Sequence, residues 1–360
     1  MKASFFVNNP PKNRKVFCVI FANFILKYLK MAIRVAINGF GRIGRYFTRI
    51  AILNQEIEIV AINDLSDTPT LSHLLKYDSV HHRFNGTIET NGNTMIVNGH
   101  PIKMFSENNP ENLPWGELNI DVVIESTGVF RTIDKANKHI LAGAKKVIIS
   151  APPDSDGIKS VVLGVNEGIL TGDEKIISNA SCTTNSAAPL VHVIKKLGKI
   201  ESCYITTVHS YTTDQRLHDA PHKDLRRARA AAESIVPTST GAAKAITKIF
   251  PELEGHMGGC GIRVPVPNGS LTDMTFIMDQ EISVEKINEA FKLAAATDLQ
   301  GILAYTADPI VSIDIIGSTY SATFDSLLTS VVGRMIKVVS WYDNEAGYSN
   351  RLMDLVVKVG

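Results

Sequence analysis

Ile33-Arg34-Val35-Ala36-Ile37-Asn38-Gly39-Phe40-Gly41-Arg42-Ile43-Gly44-Arg45 is the stretch on which the fold turns. Residues 33 to 37 alternate toward a buried strand, and residues 46 to 53 suit a helix. An apolar strand over residues 57 to 62 follows and ends at Asn63-Asp64. Three glycines spaced Gly-x-Gly-x-x-Gly therefore lie between strand and helix, with an acid on the next strand's end. Gly39 permits a tight turn, Gly41 lets a pyrophosphate approach the backbone, and Gly44 lets helix and strand pack closely. Asp64 would accept hydrogen bonds from an adenosine ribose and repel a 2′-phosphate. Phe40, Arg42 and Ile43 complete a candidate NAD-binding loop.

Working outward, Val122-Val123-Ile124 ends at Ser126-Thr127-Gly128, and residues 146 to 150 form another strand ending at Ser150. Small or hydroxyl residues such as Thr127 and Ser150 suit the carboxyl edge of a parallel sheet, where a dinucleotide lies. The expected fold class is α/β, with a Rossmann-type doubly wound parallel sheet. Residues 68 to 118 read as strands and loops inserted in that half. Beyond it, longer strands such as 202 to 210 and 271 to 278 predict a mixed α/β catalytic domain with a largely antiparallel sheet. The divisions expected are an N-terminal extension, 1–31, a nucleotide domain, 32–180, a catalytic domain, 181–344, and a returning helix, 345–360.

The 360 residues are 44% hydrophobic and 20% charged with net charge +1, which suits a globular chain and provides no nucleic-acid surface. Residues 1 to 30 differ, with unopposed lysines and arginine around a short apolar run. The segment resembles a signal peptide, but the run is too short to span a bilayer and lacks a processing site, so Met31 reads as the natural start or the segment as a disordered arm, with targeting or membrane association the alternative. Four cysteines without paired spacing suggest neither disulfides nor a metal site and fit a reducing, cytoplasmic compartment.

Cys182 lies in Ser178-Asn179-Ala180-Ser181-Cys182-Thr183-Thr184-Asn185-Ser186, between a strand end and a helix. A thiol at that junction can meet orphan helix amides, which favour thiolate. Pro189 bears on this: a helix beginning only there would put Cys182 two turns early. Elsewhere, residues 202 to 210 form a strand that carries His209, and a long polar stretch, 211 to 235, follows. His81-His82 reads as a surface loop, and Cys203 and Cys260 as core. The final helix is expected near residues 351 to 357.

Over residues 32 to 360 the chain resembles the glyceraldehyde-3-phosphate dehydrogenase family. The resemblance is carried by residues 37 to 45, 178 to 185, Thr207-Val208-His209, 238 to 243, Arg263-Val264-Pro265 and 341 to 350. It implies phosphorylating oxidation of glyceraldehyde 3-phosphate with NAD. Cys182 would be the nucleophile and His209 the base, by way of a thiohemiacetal and a thioester that inorganic phosphate attacks. It further implies that Thr212, Asp214 and Arg263 bind the substrate phosphate, and that Ser181, Thr183, Thr240, Gly241 and Arg227 bind the attacking one. Asn344 would meet the nicotinamide carboxamide, with Tyr348 nearby. Leu65 and Pro221 match the NAD-preferring form, and a homotetramer is implied.

The sequence departs from the family's usual pattern at Ser186, a cysteine in most members, at Asn108, often an arginine on the adenine side, and at Val266, usually a threonine. Asn108 predicts altered adenine contacts. Rival readings are an erythrose-4-phosphate dehydrogenase, a Cys-His hydrolase, and a non-catalytic surface or scaffold protein using the same fold. Membrane and nucleic-acid partners are not expected.

Overall fold

The computed structural model describes residues 32–360, so the expectations for residues 1–31 lie outside the described residues. The first sheet is built from β1 (Ile33–Asn38), β2 (Ile57–Asn63), β3 (Ile88–Asn91), β4 (Thr94–Val97), β5 (His100–Phe105), β6 (Val122–Glu125), β7 (Lys146–Ile149), β8 (Lys159–Ser160) and β9 (Ile176–Ser178). Among the described residues these nine strands run in the order β3-β4-β5-β2-β1-β6-β7-β9-β8. β1 pairs in parallel with both β2 and β6, with Ile37 opposite Ile62 on one side and Ile124 on the other. The chain leaves β1 toward one edge and returns to β6 on the other flank. A crevice therefore opens beyond their carboxyl ends.

Helix α1 (Arg42–Ala51) starts directly after Gly41 and buries Gly44, Phe47, Thr48 and Ala51. The inserted segment contains a helix that strands and loops did not anticipate, α2 (Thr68–Lys76). Its start is nevertheless written locally: Asp67 Oδ1 accepts the Thr70 N–H at 2.9 Å, and Pro69 occupies the first turn. Its length, barely over two turns, is what hid it from periodicity. Helix α3 (Ile133–Leu141) connects β6 to β7.

Helix α4 (Cys182–Lys195) leads into the second sheet. That sheet contains β10 (Ile200–Ser210), β11 (Val236–Thr238), β12 (Met257–Val264), β13 (Ser270–Met278), β14 (Leu303–Thr306), β15 (Ala322–Asp325), β16 (Ser330–Val332) and β17 (Met335–Tyr342). Antiparallel pairing of β10, β13 and β17 dominates it, while β10 and β12 run parallel. α4, α5 (Ala242–Ile249) and α6 (Val284–Ala296) contribute to its core, with Leu190, Ile194, Ile246 and Phe291 meeting Ile205, Phe276 and Phe324. Phe291 and Phe324 stack at 3.8 Å between centroids.

α4 begins at Cys182 rather than at Pro189. Ser181 caps it, accepting the Thr184 N–H at 3.0 Å, and Pro189 sits inside. Residues 183 to 191 are all buried, so tertiary packing offsets the backbone bond that proline forfeits. α7 (Ala346–Val359) fills the 345–360 segment expected to return as a helix and extends beyond the 351 to 357 core read from the local pattern. Asp343 Oδ1 accepts the N–H groups of Glu345 and Ala346, which starts the helix earlier. Its Leu352, Leu355 and Val356 pack with Ile33 and Phe47 of the first sheet's core.

Candidate active site

One cleft of about 1050 Å³ runs from the glycine loop to the second sheet. It is lined by Gly41, Asp64, Thr127, Cys182, His209 and Asn344, among others. The three glycines face three different neighbours. Gly39 has φ +94°, and a Cβ there would lie 2.6 Å from the Thr127 nitrogen. A Cβ on Gly44 would lie 2.4 Å from the Gly39 carbonyl, so close helix packing excludes one. A Cβ on Gly41 would meet no protein atom within 4 Å; the space beside it is the cleft. Asp64 closes the loop, with Oδ2 accepting the Phe40 N–H at 2.8 Å and Oδ1 the Ser66 N–H at 3.0 Å. Phe40 itself is core.

Cys182 is the first residue of α4, and its Sγ lies 3.5 Å from His209 Nε2 on β10. Helix amides and an imidazole thus converge on one sulfur from two consecutive elements, α4 and β10. The other imidazole nitrogen, Nδ1, lies 2.7 Å from the Ser210 carbonyl and 2.5 Å from Arg263 Nη1. These neighbours make opposite demands. Ser210 O needs a proton on Nδ1, whereas an Arg263 N–H needs its lone pair.

The sequence argument for a thiolate needs correcting for the ligand-free cleft. Burial pushes the Cys182 thiol up, against a smaller downward pull from Arg263. Burial, then Arg263, pushes the His209 imidazole down to about 3. In the ligand-free cleft burial thus works against charge on both the sulfur and the imidazole. The amides at the helix start are real, but desolvation of a charged sulfur outweighs them.

Of the residues implicated in phosphate binding, Thr212 and Arg263 line the cleft. The Thr212 hydroxyl bonds Asp214, and Asp214 pairs with Arg227 Nη1. Arg227 also donates twice to Thr238 Oγ1, at 2.9 and 2.8 Å. Thr183 spends its hydroxyl on Tyr342 at 2.9 Å. Thr240 Oγ1 accepts the Ala242 N–H, and Gly241 opens α5 with no side-chain cap. Ser181, Thr183, Arg227, Thr240 and Gly241 are not part of the cleft lining, nor are Ser150 and Tyr348. Tyr348 instead donates from its hydroxyl to the carbonyl of Ala180 at 3.1 Å, pinning a residue held at φ +54° two positions before Cys182.

Asn344 has a defined polarity. Its Oδ1 accepts from Ser210 Oγ at 2.8 Å and Ser270 Oγ at 2.9 Å, leaving Nδ2 as the donor for the cleft. Sequence reasoning missed both serines, because nothing in their local sequence refers to residue 344. His81 and His82 lie at a turn, as expected, but the His81 side chain is tucked in, with Nε2 2.8 Å from Glu345 Oε2. Arg42 completes the cluster by donating to both Glu345 and Asp78, so its guanidinium is already engaged. Asn108 and Leu65 line the cleft, and Ser186 bonds Thr272 Oγ1 and Ser340 Oγ in the interior. Cys203 is buried and Cys260 partly so. Among the described residues, no group of three or more His, Cys, Asp or Glu could hold a metal, and no helix is long and apolar enough to cross a membrane.

Comparison with known proteins gives two family matches. Residues 33–133 match the model described as the glyceraldehyde 3-phosphate dehydrogenase NAD binding domain, and residues 181–344 the C-terminal domain of the same name. The glyceraldehyde-3-phosphate dehydrogenase of Geobacillus stearothermophilus is 54% identical over 333 residues, covering 91% of this chain and 98% of that one. That of Thermotoga maritima is 56% identical over 324 residues, covering 89% and 97%. That of Mycobacterium avium is 54% identical over 337 residues, covering 92% and 99%.

Proposed function

The chain belongs to the glyceraldehyde-3-phosphate dehydrogenase family, and from that premise we propose how its own residues perform the reaction. It is a glycolytic, NAD-dependent oxidoreductase acting on the aldehyde group of glyceraldehyde 3-phosphate. The open side of Gly41, the carboxylate of Asp64 and the free amide donor of Asn344 suit a pyrophosphate, a ribose and a carboxamide along one cleft. When bound, NAD accepts the hydride.

The observation that carries the mechanism is the 3.5 Å approach of Cys182 Sγ to His209 Nε2 within that cleft. Cys182 attacks the aldehyde carbon while its proton passes to Nε2, and Nδ1–H is held by Ser210 O. The imidazolium returns that proton to the new alkoxide, giving a thiohemiacetal, and the neutral imidazole takes the hydroxyl proton again as hydride leaves carbon. The resulting thioester is attacked by inorganic phosphate, which expels the Cys182 thiolate and releases the acyl phosphate. Arg263 and Thr212 hold the substrate phosphate, with Asp214 orienting the Thr212 hydroxyl. An anion that draws Arg263 from His209 removes the competing donor at Nδ1, so substrate itself readies the base. Ser181, Thr183, Arg227, Thr240 and Gly241 form the second phosphate site, a reading supported by the uncapped start of α5.

We also divide the chain into a nucleotide domain, 32–180, a catalytic domain, 181–344, and a helix, 345–360, that packs back on the first. The strongly exposed Leu217, Leu225 and Ile235 on the 211–235 loop support burial of that loop in a homotetramer. The need for a reduced thiol supports a cytoplasmic location. The deciding assay follows absorbance at 340 nm with glyceraldehyde 3-phosphate and, separately, erythrose 4-phosphate. Rapid NAD reduction only with the triose and inorganic phosphate is expected. Equal rates without phosphate, or preference for the tetrose, would overturn the reading. Sedimentation at a mass other than four subunits would overturn the tetramer.

A further inference from the structure

The cleft wall that Asn38 and Asn63 line together with Glu107 and Thr127 is backed by buried polar side chains that the mechanism does not use. The N–H of Glu107 donates to Asn63 Oδ1 at 2.8 Å, and Asn63 Nδ2 donates to Asn38 Oδ1 at 2.7 Å. Asn38 Nδ2 then donates to Glu125 Oε2 at 2.6 Å. From the opposite side the Thr127 N–H reaches Glu125 Oε1 at 2.9 Å, and the Thr127 hydroxyl bonds the same oxygen. His139 Nε2 lies 3.2 Å from Oε2, while Trp115 Nε1–H donates to His139 Nδ1 at 3.1 Å. That indole bond assigns the imidazole proton to Nε2, so the histidine also donates toward Glu125. Asn38, Glu125, His139 and Trp115 are each at most 1% exposed.

Every link points the same way, and the chain cannot reverse. Flipping Asn38 would set its amide against that of Asn63. Flipping Asn63 as well would set an amide against the Glu107 N–H, which is backbone and fixed. Only an acceptor-only group at position 125 terminates it from both sides, and a carboxylate is that group. The two ends of the chain reach the cleft where Glu107 and Thr127 line it, whereas Glu125, His139 and Trp115 do not touch it. Thr127 also abuts Gly39, so its place fixes that of the glycine loop.

We propose that Glu125 is a positioning residue for the cofactor: it ends a one-way hydrogen-bond chain that sets the separation between the Glu107–Asn108 wall and the Thr127 turn. The proposal depends on the cleft being the NAD site. A dinucleotide that spans both walls senses that separation, whereas a mononucleotide engaging one wall does not.

The test is calorimetric titration of the full chain with NAD and with AMP, alongside thermal unfolding. Glu125→Gln faces its new amide toward Asn38 Nδ2 and His139 Nε2–H. It is expected to weaken NAD about tenfold or more, or about 1.4 kcal/mol, and to leave AMP nearly unchanged. Asn38→Asp sets two carboxylates against each other and also weakens NAD. Combining the two exchanges acid and amide. Residue 38 then accepts from residue 125, from Asn63, and from His139 Nε2, which lies 3.4 Å from Asn38 Nδ2. The double variant should bind NAD more tightly than Asn38→Asp alone, a comparison that stands even where Glu125→Gln does not fold. Equal weakening of NAD and AMP with a lowered melting point, unchanged NAD binding in Glu125→Gln, or no recovery in the double variant would each sink the proposal. Failure of the unaltered chain to bind NAD would sink the reading of the site along with it.

Discussion

At the scale of single residues, the proposed chemistry rests on Cys182 and His209, where burial works against charge on both groups. Cys182→Ser should lose ~10³-fold or more in kcat while NAD titrates as before, because only the nucleophile is removed. Retained dehydrogenase activity in that variant would refute the role given to Cys182. His209→Asn should lower kcat by about 10²–10⁴-fold. The same histidine has a stability signature. Its native pKa, pushed down to about 3, lies below the unfolded value, so the unfolded chain binds the extra proton between those limits. Its contribution is fully present above about pH 6.5 and is lost as pH falls toward 3. Melting points measured from pH 7 to 4 should fall less steeply in His209→Asn than in the unaltered chain. Equal slopes would show that the burial of His209 is not what the acid side senses. The cysteine and histidine motifs were visible in the sequence; the upward push on the thiol and the downward push on the imidazole were not, since both arise from burial and the second also from an arginine 54 positions away.

At the scale of elements, the strand-loop-helix at residues 33 to 51 separates fold from binding. Gly44→Ala forces a Cβ onto the Gly39 carbonyl, so both the melting point and NAD affinity should drop. Gly41→Ala forces nothing within the protein, so its melting point should match the unaltered chain while its NAD affinity falls about tenfold or more. A large stability loss in Gly41→Ala would show that the glycine serves the loop and not a ligand. α4 teaches a different lesson. A proline inside a helix reads as a boundary when only local propensity is weighed. Burial of nearly every neighbouring residue overrides it, which lets Cys182 occupy the first position. α2 shows the reverse case, a helix whose cap was visible in Asp67 and Pro69 but whose apolar pattern was too short to register.

At the scale of the molecule, Arg42 ties the first helix to the last. It donates to Glu345 at 2.7 Å through Nε and to Asp78 at 3.1 Å through Nη2, with His81 on the far side of Glu345. Arg42→Met should therefore leave Glu345 and Asp78 facing each other and cost about 2–3 kcal/mol, less than the roughly 3–5 of a fully buried pair because the guanidinium is 28% exposed. Denaturant unfolding measures this. The adjoining Asn344 should shift too, raising KM for NAD more than it lowers kcat. An unchanged KM would show that the cluster holds the helices without influencing the cofactor residue beside it.

Sequence alone was enough for whatever is encoded within a few residues: the glycine triplet and its acid, the cysteine between a strand end and a helix, the alternation of the long strands. These features follow from backbone sterics and local periodicity, which need no knowledge of distant partners. Tertiary structure alone decided where burial works against charge, which way the amides of Asn38, Asn63 and Asn344 point, and that the His81 side chain meets Glu345. Those outcomes are set by desolvation and by donors and acceptors brought together from segments up to 303 positions apart. No local pattern encodes them, because the energy of a buried polar group depends on what the fold places against it.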